Sequence, residues 1–364
     1  MAQTLDRKFA ALLNFTGNSY HWGCYGTSLE IYQTLIERGY YVETMDVNDT
    51  HSMTPTPELT DHFVQKEFFL NFAARNPRIV RLLKQADLIV VNGEGTLHRD
   101  RPGPMNLLYL MLSAKLFLNK KVHLINHSLY PSGSEQAHEM LDLLYGSVGQ
   151  AVDKVVPRER RSASVCQRLG VKHQQGFDCL ARFINRHKLI GSATRENGIL
   201  LAGGIAMTPE WLETFAKTLG RFAGDSIPIR FLTGAKNDPA REDMLQFDII
   251  KKAIQNIELI EADSMEAWLG WISRSSCLIS GRYHHSLAAA ALGTPFLVFP
   301  SNTPKIEATM EMLDYPAVVS ALDESSKARI GDFIDDSIKG RSKAVRADKV
   351  EEILELSGNN FADL

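Results

Sequence analysis

The chain has 364 residues, enough for two domains at about 150 residues each. Its 40 basic and 43 acidic residues leave a formal charge of −3, with 44% of residues hydrophobic and 23% charged. These values exclude a mainly disordered chain and a general nucleic-acid coat, and no apolar run approaches the roughly 18 residues that span a bilayer. Arg7 and Lys8 precede the apolar stretch Phe9–Leu13, but Asn14 ends it without a small-residue cleavage pattern. A buried strand is expected there, not a signal peptide. Cys24, Cys166, Cys179 and Cys277 lack metal-type spacing, and without a secretion signal a reducing cytoplasm is the expected location.

In chain order, Phe9–Phe15 reads as a first strand. Thr27–Arg38 then places Leu29, Ile31, Tyr32, Leu35 and Ile36 on one helical face, and Gly39 stops it. Tyr40–Met45 is the next strand. Further strands follow at Leu88–Val91, Val122–Ile125 and Lys154–Val156, with helical stretches around 76–85, 104–117 and 134–146. The rhythm breaks between Arg182 and Gly198, a polar stretch that includes Arg186, His187, Lys188, Gly191 and Ser192. It resumes with strands at Ile199–Leu201, Ile229–Leu232, Glu258–Ile260, Cys277–Ser280 and Phe296–Phe299. An amphipathic helix from about Ala344 to Leu356 closes the chain. Such alternation predicts an α/β fold of parallel sheets covered by helices. The expected organisation is two Rossmann-like domains, residues 1–190 and 191–364, with a cleft between them and the terminal helix on the second.

Ligands of open parallel sheets bind outside the carboxyl ends of the strands, so residues that follow strands are the candidates. After the first strand comes Thr16–Ser28, where Gly17, Gly23 and Gly26 would let backbone approach a ligand, Asn18 among them. A strand-to-helix turn capped by Thr27 or Ser28 explains this segment equally well. Asn92-Gly93-Glu94-Gly95 follows Leu88–Val91, and a carboxylate between glycines at a strand end suits base or hydroxyl-binding work; an exposed loop glutamate is the plain alternative. His127, in Asn126-His127-Ser128, lies at the next strand end, where it is either a site residue or a hydrogen-bonded packing residue. Pro157-Arg158-Glu159-Arg160-Arg161-Ser162 brings guanidinium groups to a helix start, against the helix dipole, as an anion site would require. Arg158 is the one singled out, since Arg160 and Arg161 also read as a solvated basic face.

Ser280-Gly281-Arg282-Tyr283-His284-His285-Ser286 is the strongest signal. It follows a strand and precedes the alanine-rich Leu287–Leu292, so an arginine and two histidines sit at a helix N-terminus. That is an anion site with an acid/base group beside it; capping and packing are the plainer account of the paired histidines. Gly293-Thr294-Pro295 and one more strand then lead to Lys305, at a further helix start.

Together these residues resemble the polysaccharide pyruvyl transferase family, from the first strand to about Leu313. Ser-Gly-Arg-Tyr-His-His, the Gly-Thr-Pro strand with Lys305, and Pro-Arg-Glu-x-x-Ser carry the resemblance. It implies a GT-B-like fold and transfer of the carbon skeleton of phosphoenolpyruvate to sugar hydroxyls, giving a cyclic pyruvate ketal and phosphate. By motif, Arg158, Arg282 and Lys305 would hold the carboxylate and phosphate, with Tyr283 and His285 beside them, and His284 would be the general acid. Glu94 or His127 would assist the acceptor hydroxyls, with Asn92 and Asn18 on the same, acceptor-binding half; residues 191–364 would hold phosphoenolpyruvate. The reaction needs no cofactor, and the residue spacing signals no metal. A glycan or lipid-linked glycan acceptor, no nucleic acid and no membrane span are expected, with placement in the cytoplasm or at the inner face of the membrane. Two departures concern the acceptor half. Many relatives have Asn-x-Gly-Asp in the first loop, where Gly23 is here followed by Cys24, and many have a glycine run in place of Asn92–Gly95.

Two other functions fit the same residues. One is a glycosyltransferase of this architecture using a nucleotide-activated sugar, with Arg282 and Lys305 on its phosphates and Glu94 as base. The other is a non-catalytic sugar- or anion-binding relative. The proton donor beside the anion site favours pyruvyl transfer, because departure of a nucleoside phosphate has less need of one.

Overall fold

The computed structural model describes residues 8–18, 21–58, 60–187, 195–222, 227–235, 241–320 and 322–364. The chain divides into two compact units. The first comprises Met1–Asn18, Thr27–Cys179 and Glu355–Leu364; the second comprises Ser19–Gly26 and Leu180–Leu354.

The first unit is built on five parallel strands: β1 (Phe9–Phe15), β2 (Tyr41–Asp46), β3 (Leu88–Glu94), β4 (Lys121–His127) and β5 (Lys154–Pro157), in the order β2-β1-β3-β4-β5. Alternate residues of each strand enter different clusters. Ala11, Leu13, Ile89, Val91 and Leu124 pack in one, and Ala10, Leu12, Leu88, Val90 and Ile125 in the other. A sheet covered on both faces needs apolar side chains at consecutive positions, and β3 is accordingly buried at all seven residues. Each Leu, Ile or Val fully enclosed in this way contributes about 1.5–3 kcal/mol. The helix Pro102–Leu116 is buried from Gly103 to Ala114, so it is a core helix and not an amphipathic surface one.

The second unit repeats the plan with β6 (Glu196–Gly204), β7 (Ile229–Leu232), β8 (Glu258–Ile260), β9 (Ser275–Gly281) and β10 (Phe296–Val298), ordered β10-β9-β6-β7-β8 and parallel throughout. The helix Tyr283–Ala291 is almost wholly buried, as its run of alanines permits.

Several sequence-derived boundaries shift. The first helix starts at Trp22, not Thr27, and Lys66–Arg75 is a helix the periodicity did not reveal. The terminal helix spans Ala347–Gly358, and residues from Glu355 onward belong to the first unit, where the sequence placed them with the second. The expected boundary near residue 190 lies outside the described residues. Among the described residues, no helix is long and apolar enough to cross a membrane.

Candidate functional site

In the first unit the carboxyl ends of β1, β3 and β4 carry a buried polar network. Glu94 is nearly enclosed, with φ 40°. Its Oε1 accepts hydrogen bonds from Thr16 Oγ1 at 2.8 Å and Asn92 Nδ2 at 3.0 Å. Asn92 Nδ2 also reaches Ser28 Oγ at 3.1 Å, while its Oδ1 accepts from Asn126 Nδ2 at 2.8 Å. Asn14 donates to the Asn92 carbonyl at 2.7 Å. Glu94 is thus no exposed loop glutamate: its neighbours donate to it and none of these donors is a cation. Asn18 is exposed and takes no part in this network. His127 lies at the same strand end but is fully enclosed. Burial, then the Arg158 charge, lower its pKa to about 3. An imidazole held neutral so firmly is a weak base, and a Cβ on Gly93 would come within 2.3 Å of its Cβ. It is enclosed as a packing residue would be, but neither ring nitrogen has a hydrogen-bond partner among the described residues, so the hydrogen-bonded role the sequence offered is not seen.

Arg158 also departs from the role the motif suggested. It is 2% exposed; NH1 donates to Asp178 Oδ2 at 2.7 Å and Nε to Ser128 Oγ at 3.0 Å. Glu159 caps the following helix, accepting the Ser162 N–H at 2.7 Å. Burial raises its pKa. The Pro-Arg-Glu-x-x-Ser segment therefore satisfies itself: the negative group that the helix start calls for is Glu159. Arg161 is turned to Glu135 at 3.0 Å. Nothing in this arrangement requires a bound anion.

In the second unit the ends of β6, β7 and β9 come together around Arg282. Close approach is a matter of glycines. A Cβ on Gly204 would lie 2.7 Å from the Gly281 Cα, and one on Gly281 equally close to Gly204. Gln246 holds the β6 end, its Oε1 accepting the Gly204 N–H at 2.9 Å and its Nε2 donating to the Gly204 carbonyl at 2.7 Å. Arg282 precedes the helix Tyr283–Ala291 and pairs through NH2 with buried Asp243, which also accepts the Gly234 N–H at 2.9 Å. Its buried Nε has no hydrogen-bond partner among the described residues.

Histidines surround this guanidinium. His284, half-buried, has Nδ1 3.6 Å from Cys24 Sγ, and a Cβ on Gly23 would meet the His284 Cβ at 2.1 Å. Gly23 and Cys24 are therefore the wall against which His284 packs, and Gly23 lies in the helix and not in a ligand-cradling loop. His21 bridges to Ala235, and burial followed by the Arg282 charge lowers its pKa to about 4. His285 is fully buried, and burial with the Arg282 charge lowers its pKa well below the usual value. Trp268 Nε1 donates to its Nε2 at 3.2 Å. That bond makes His285 a structural acceptor, and leaves His284 as the less enclosed histidine of the pair.

Lys305 opens the helix Lys305–Met312 and donates to Asn302 Oδ1 at 3.0 Å. The parallel pairing of β9 with β10, Ser280 opposite Val298, sets the two strand ends side by side. Thr309 ties the helices: its hydroxyl donates to the Lys305 carbonyl at 2.7 Å, and its Oγ1 lies 3.5 Å from Tyr283 OH, which can donate to it.

Two parallel-sheet α/β units with polar groups gathered at their strand ends define a protein of the GT-B type. Solved structures of that type agree. Sucrose-phosphate synthase (tll1590) from Thermosynechococcus elongatus superposes with TM-score 0.60 at 13% identity, over 98% of this chain and 97% of its own. The S. aureus MnaA–UDP co-structure gives 0.58 at 12%, over 98% and 93%. UDP-N-acetylglucosamine 2-epimerase from Rickettsia bellii gives 0.60 at 9%, over 97% and 93%. No curated protein matches the sequence significantly. The polysaccharide pyruvyl transferase family model matches residues 31–303, and the chain belongs to that family.

Residues that the sequence did not single out complete both strand-end clusters. Asp243, Gln246 and His21 in the second unit, and Asp178, Asn126 and Thr16 in the first, are partners brought in by the fold. The strand-end positions of Asn126 and Thr16, and the place of His21 within Thr16–Ser28, could have flagged those three; Asp243, Gln246 and Asp178 carried no such signal.

Proposed function

We propose that the protein transfers the pyruvyl skeleton of phosphoenolpyruvate to two hydroxyls of a glycan or glycan precursor, forming a pyruvate ketal. The observation that carries this reading is Arg282 and His284 at the N-terminus of a buried helix. The N-terminus of a helix, a guanidinium and Lys305 at the neighbouring helix suit a ligand with a carboxylate and a phosphate. Arg158 is left out, because its guanidinium is committed to Asp178.

In the proposed sequence His284 delivers a proton to the methylene carbon, which becomes the methyl group, and positive charge develops at C2. An acceptor hydroxyl forms the first C2–O bond, its proton passing to Glu94. The bond from C2 to the phosphate oxygen then breaks and phosphate leaves with the electron pair, and the proton held by Glu94 passes through solvent to it, which restores the carboxylate. A second hydroxyl closes the ketal, and its proton restores His284. Arg282 and Lys305 hold the anionic groups throughout, and Tyr283 supports Lys305 through Thr309. His285 orients Arg282's surroundings without meeting substrate.

The experiment is to incubate protein with phosphoenolpyruvate, and separately with nucleotide-sugars, over a glycan panel. Phosphate release coupled to the mass of a pyruvate ketal on the glycan supports the proposal. Nucleotide release instead establishes the glycosyltransferase alternative, which the MnaA–UDP co-structure among the fold neighbours makes the natural competitor. Binding without any product establishes a non-catalytic relative.

A further inference from the structure

The C-terminal residues 355–364 belong to the first unit, and Asn360 is wholly buried within it. Both hydrogens of its amide are engaged, donated to the Phe177 carbonyl at 2.8 Å and the Ser357 carbonyl at 2.9 Å. This leaves Oδ1 as an oriented acceptor, and it takes the Asn126 backbone N–H at 2.8 Å. The sheet cannot supply that partner readily. The pairing of β4 with β5 shifts register between Leu124 and His127, and Asn126 within the irregularity has φ 52°. A buried N–H displaced from its ladder needs an acceptor from elsewhere.

The side chain of Asn126 is in turn oriented from both ends. Its Oδ1 accepts the Cys179 N–H at 3.1 Å, which turns Nδ2 toward Asn92 Oδ1 at 2.8 Å. Asn92 then has only its own Nδ2 left to present, and it donates this to Glu94 Oε1 at 3.0 Å. Every amide in the series has one orientation that satisfies its neighbours, and reversing any of them sets oxygen against oxygen. Asn126 and Glu94 both hold left-handed backbone, a conformation that persists where surrounding contacts over-determine it.

We infer that Asn360 is a positioning residue for Glu94, acting through Asn126 and Asn92 to set the carboxylate that serves the acceptor hydroxyl. The inference rests on the proposed role of Glu94. It gives the C-terminal segment a function in the acceptor site of the first unit, 266 residues from the carboxylate it governs (360 − 94).

The test uses the full chain with phosphate release as readout. Asn360→Ala lowers kcat on the order of tenfold, since small displacements of a reacting group are costly, while KM for phosphoenolpyruvate stays unchanged. Asn126→Asp, nearly the same shape, reverses one amide and lowers kcat similarly, which decides the matter if Asn360→Ala does not fold. In a Glu94→Gln background neither change lowers kcat further. Undiminished kcat in Asn360→Ala and Asn126→Asp, or the same fold loss in the Glu94→Gln background, overturns the inference. Glu94→Gln turning over like the parent protein removes the role of Glu94 together with it. A slow Glu94→Gln beside an unaffected Asn360→Ala removes this inference alone.

Discussion

Two arginines follow strands in this protein, and they serve opposite ends. Arg158, after β5 in the first unit, gives its donors to Asp178 and Ser128, next to a helix whose start is already capped by Glu159. Arg282, after β9 in the second unit, also pairs with a buried aspartate. Yet it retains a buried Nε with no hydrogen-bond partner among the described residues, precedes a helix with no side-chain cap, and lies among three histidines. Glu242 also lies 3.7 Å from the Arg282 NH2, so both arginines meet carboxylates, and the difference is the buried donor that Arg282 keeps. A basic residue after a strand signals an anion site only once its partners are counted.

The largest effect that separates the two ends is expected at His284. His284→Ala lowers turnover about 10²- to 10⁴-fold, the usual contribution of a general acid, with phosphoenolpyruvate affinity nearly retained; calorimetry and phosphate release together measure both. An equal loss of binding would make His284 a ligand instead of an acid.

Next comes Asp178→Ala, which takes the Asp178 carboxylate away from the buried Arg158 charge. Removing one partner of a buried pair costs about 3–5 kcal/mol, read from denaturant unfolding, whereas phosphoenolpyruvate affinity of the folded protein is unchanged. A change in affinity beyond a few-fold would return Arg158 to the substrate.

The smallest effect concerns pH. His127 titrates near 3 in the folded chain and near 6.5 unfolded. Between those values the unfolded chain binds the extra proton, so stability declines as pH falls from 6.5 toward 3 and is fully present above that range. His127→Asn therefore has a shallower decline, measured by urea unfolding at pH 7 and pH 5. Parallel pH profiles would show that His127 is not the neutral, buried group described.

The architecture was legible because parallel strands are apolar at consecutive positions. Leu88–Val91 and Cys277–Ser280 stand out as uninterrupted runs and coincide with β3 and β9. Lys66–Arg75 did not stand out, since only Phe69 and Phe72 are buried there. Arg282, His284 and Lys305 were legible as a motif. Their partners were not: Asp243 lies 39 residues from Arg282 and Asp178 lies 20 from Arg158, and a sequence records charges without recording which of them meet. For the same reason the Pro-Arg-Glu-x-x-Ser segment looked like an anion site, while its glutamate and serine form a helix cap. Gly23 and Gly26 read as a ligand-cradling loop, but in the fold they relieve packing, Gly23 against His284 and Gly26 against Met265 and Leu180.

The central claim is that the strand end of the second unit that carries Arg282 holds phosphoenolpyruvate. Titration of the protein and of Arg282→Ala with phosphoenolpyruvate tests it most directly. The account predicts saturable binding by the parent protein, weakened on the order of a hundredfold in Arg282→Ala, because a charge-assisted bond to a buried anion contributes about 1.5–3 kcal/mol. Equal affinity in the two proteins would contradict it.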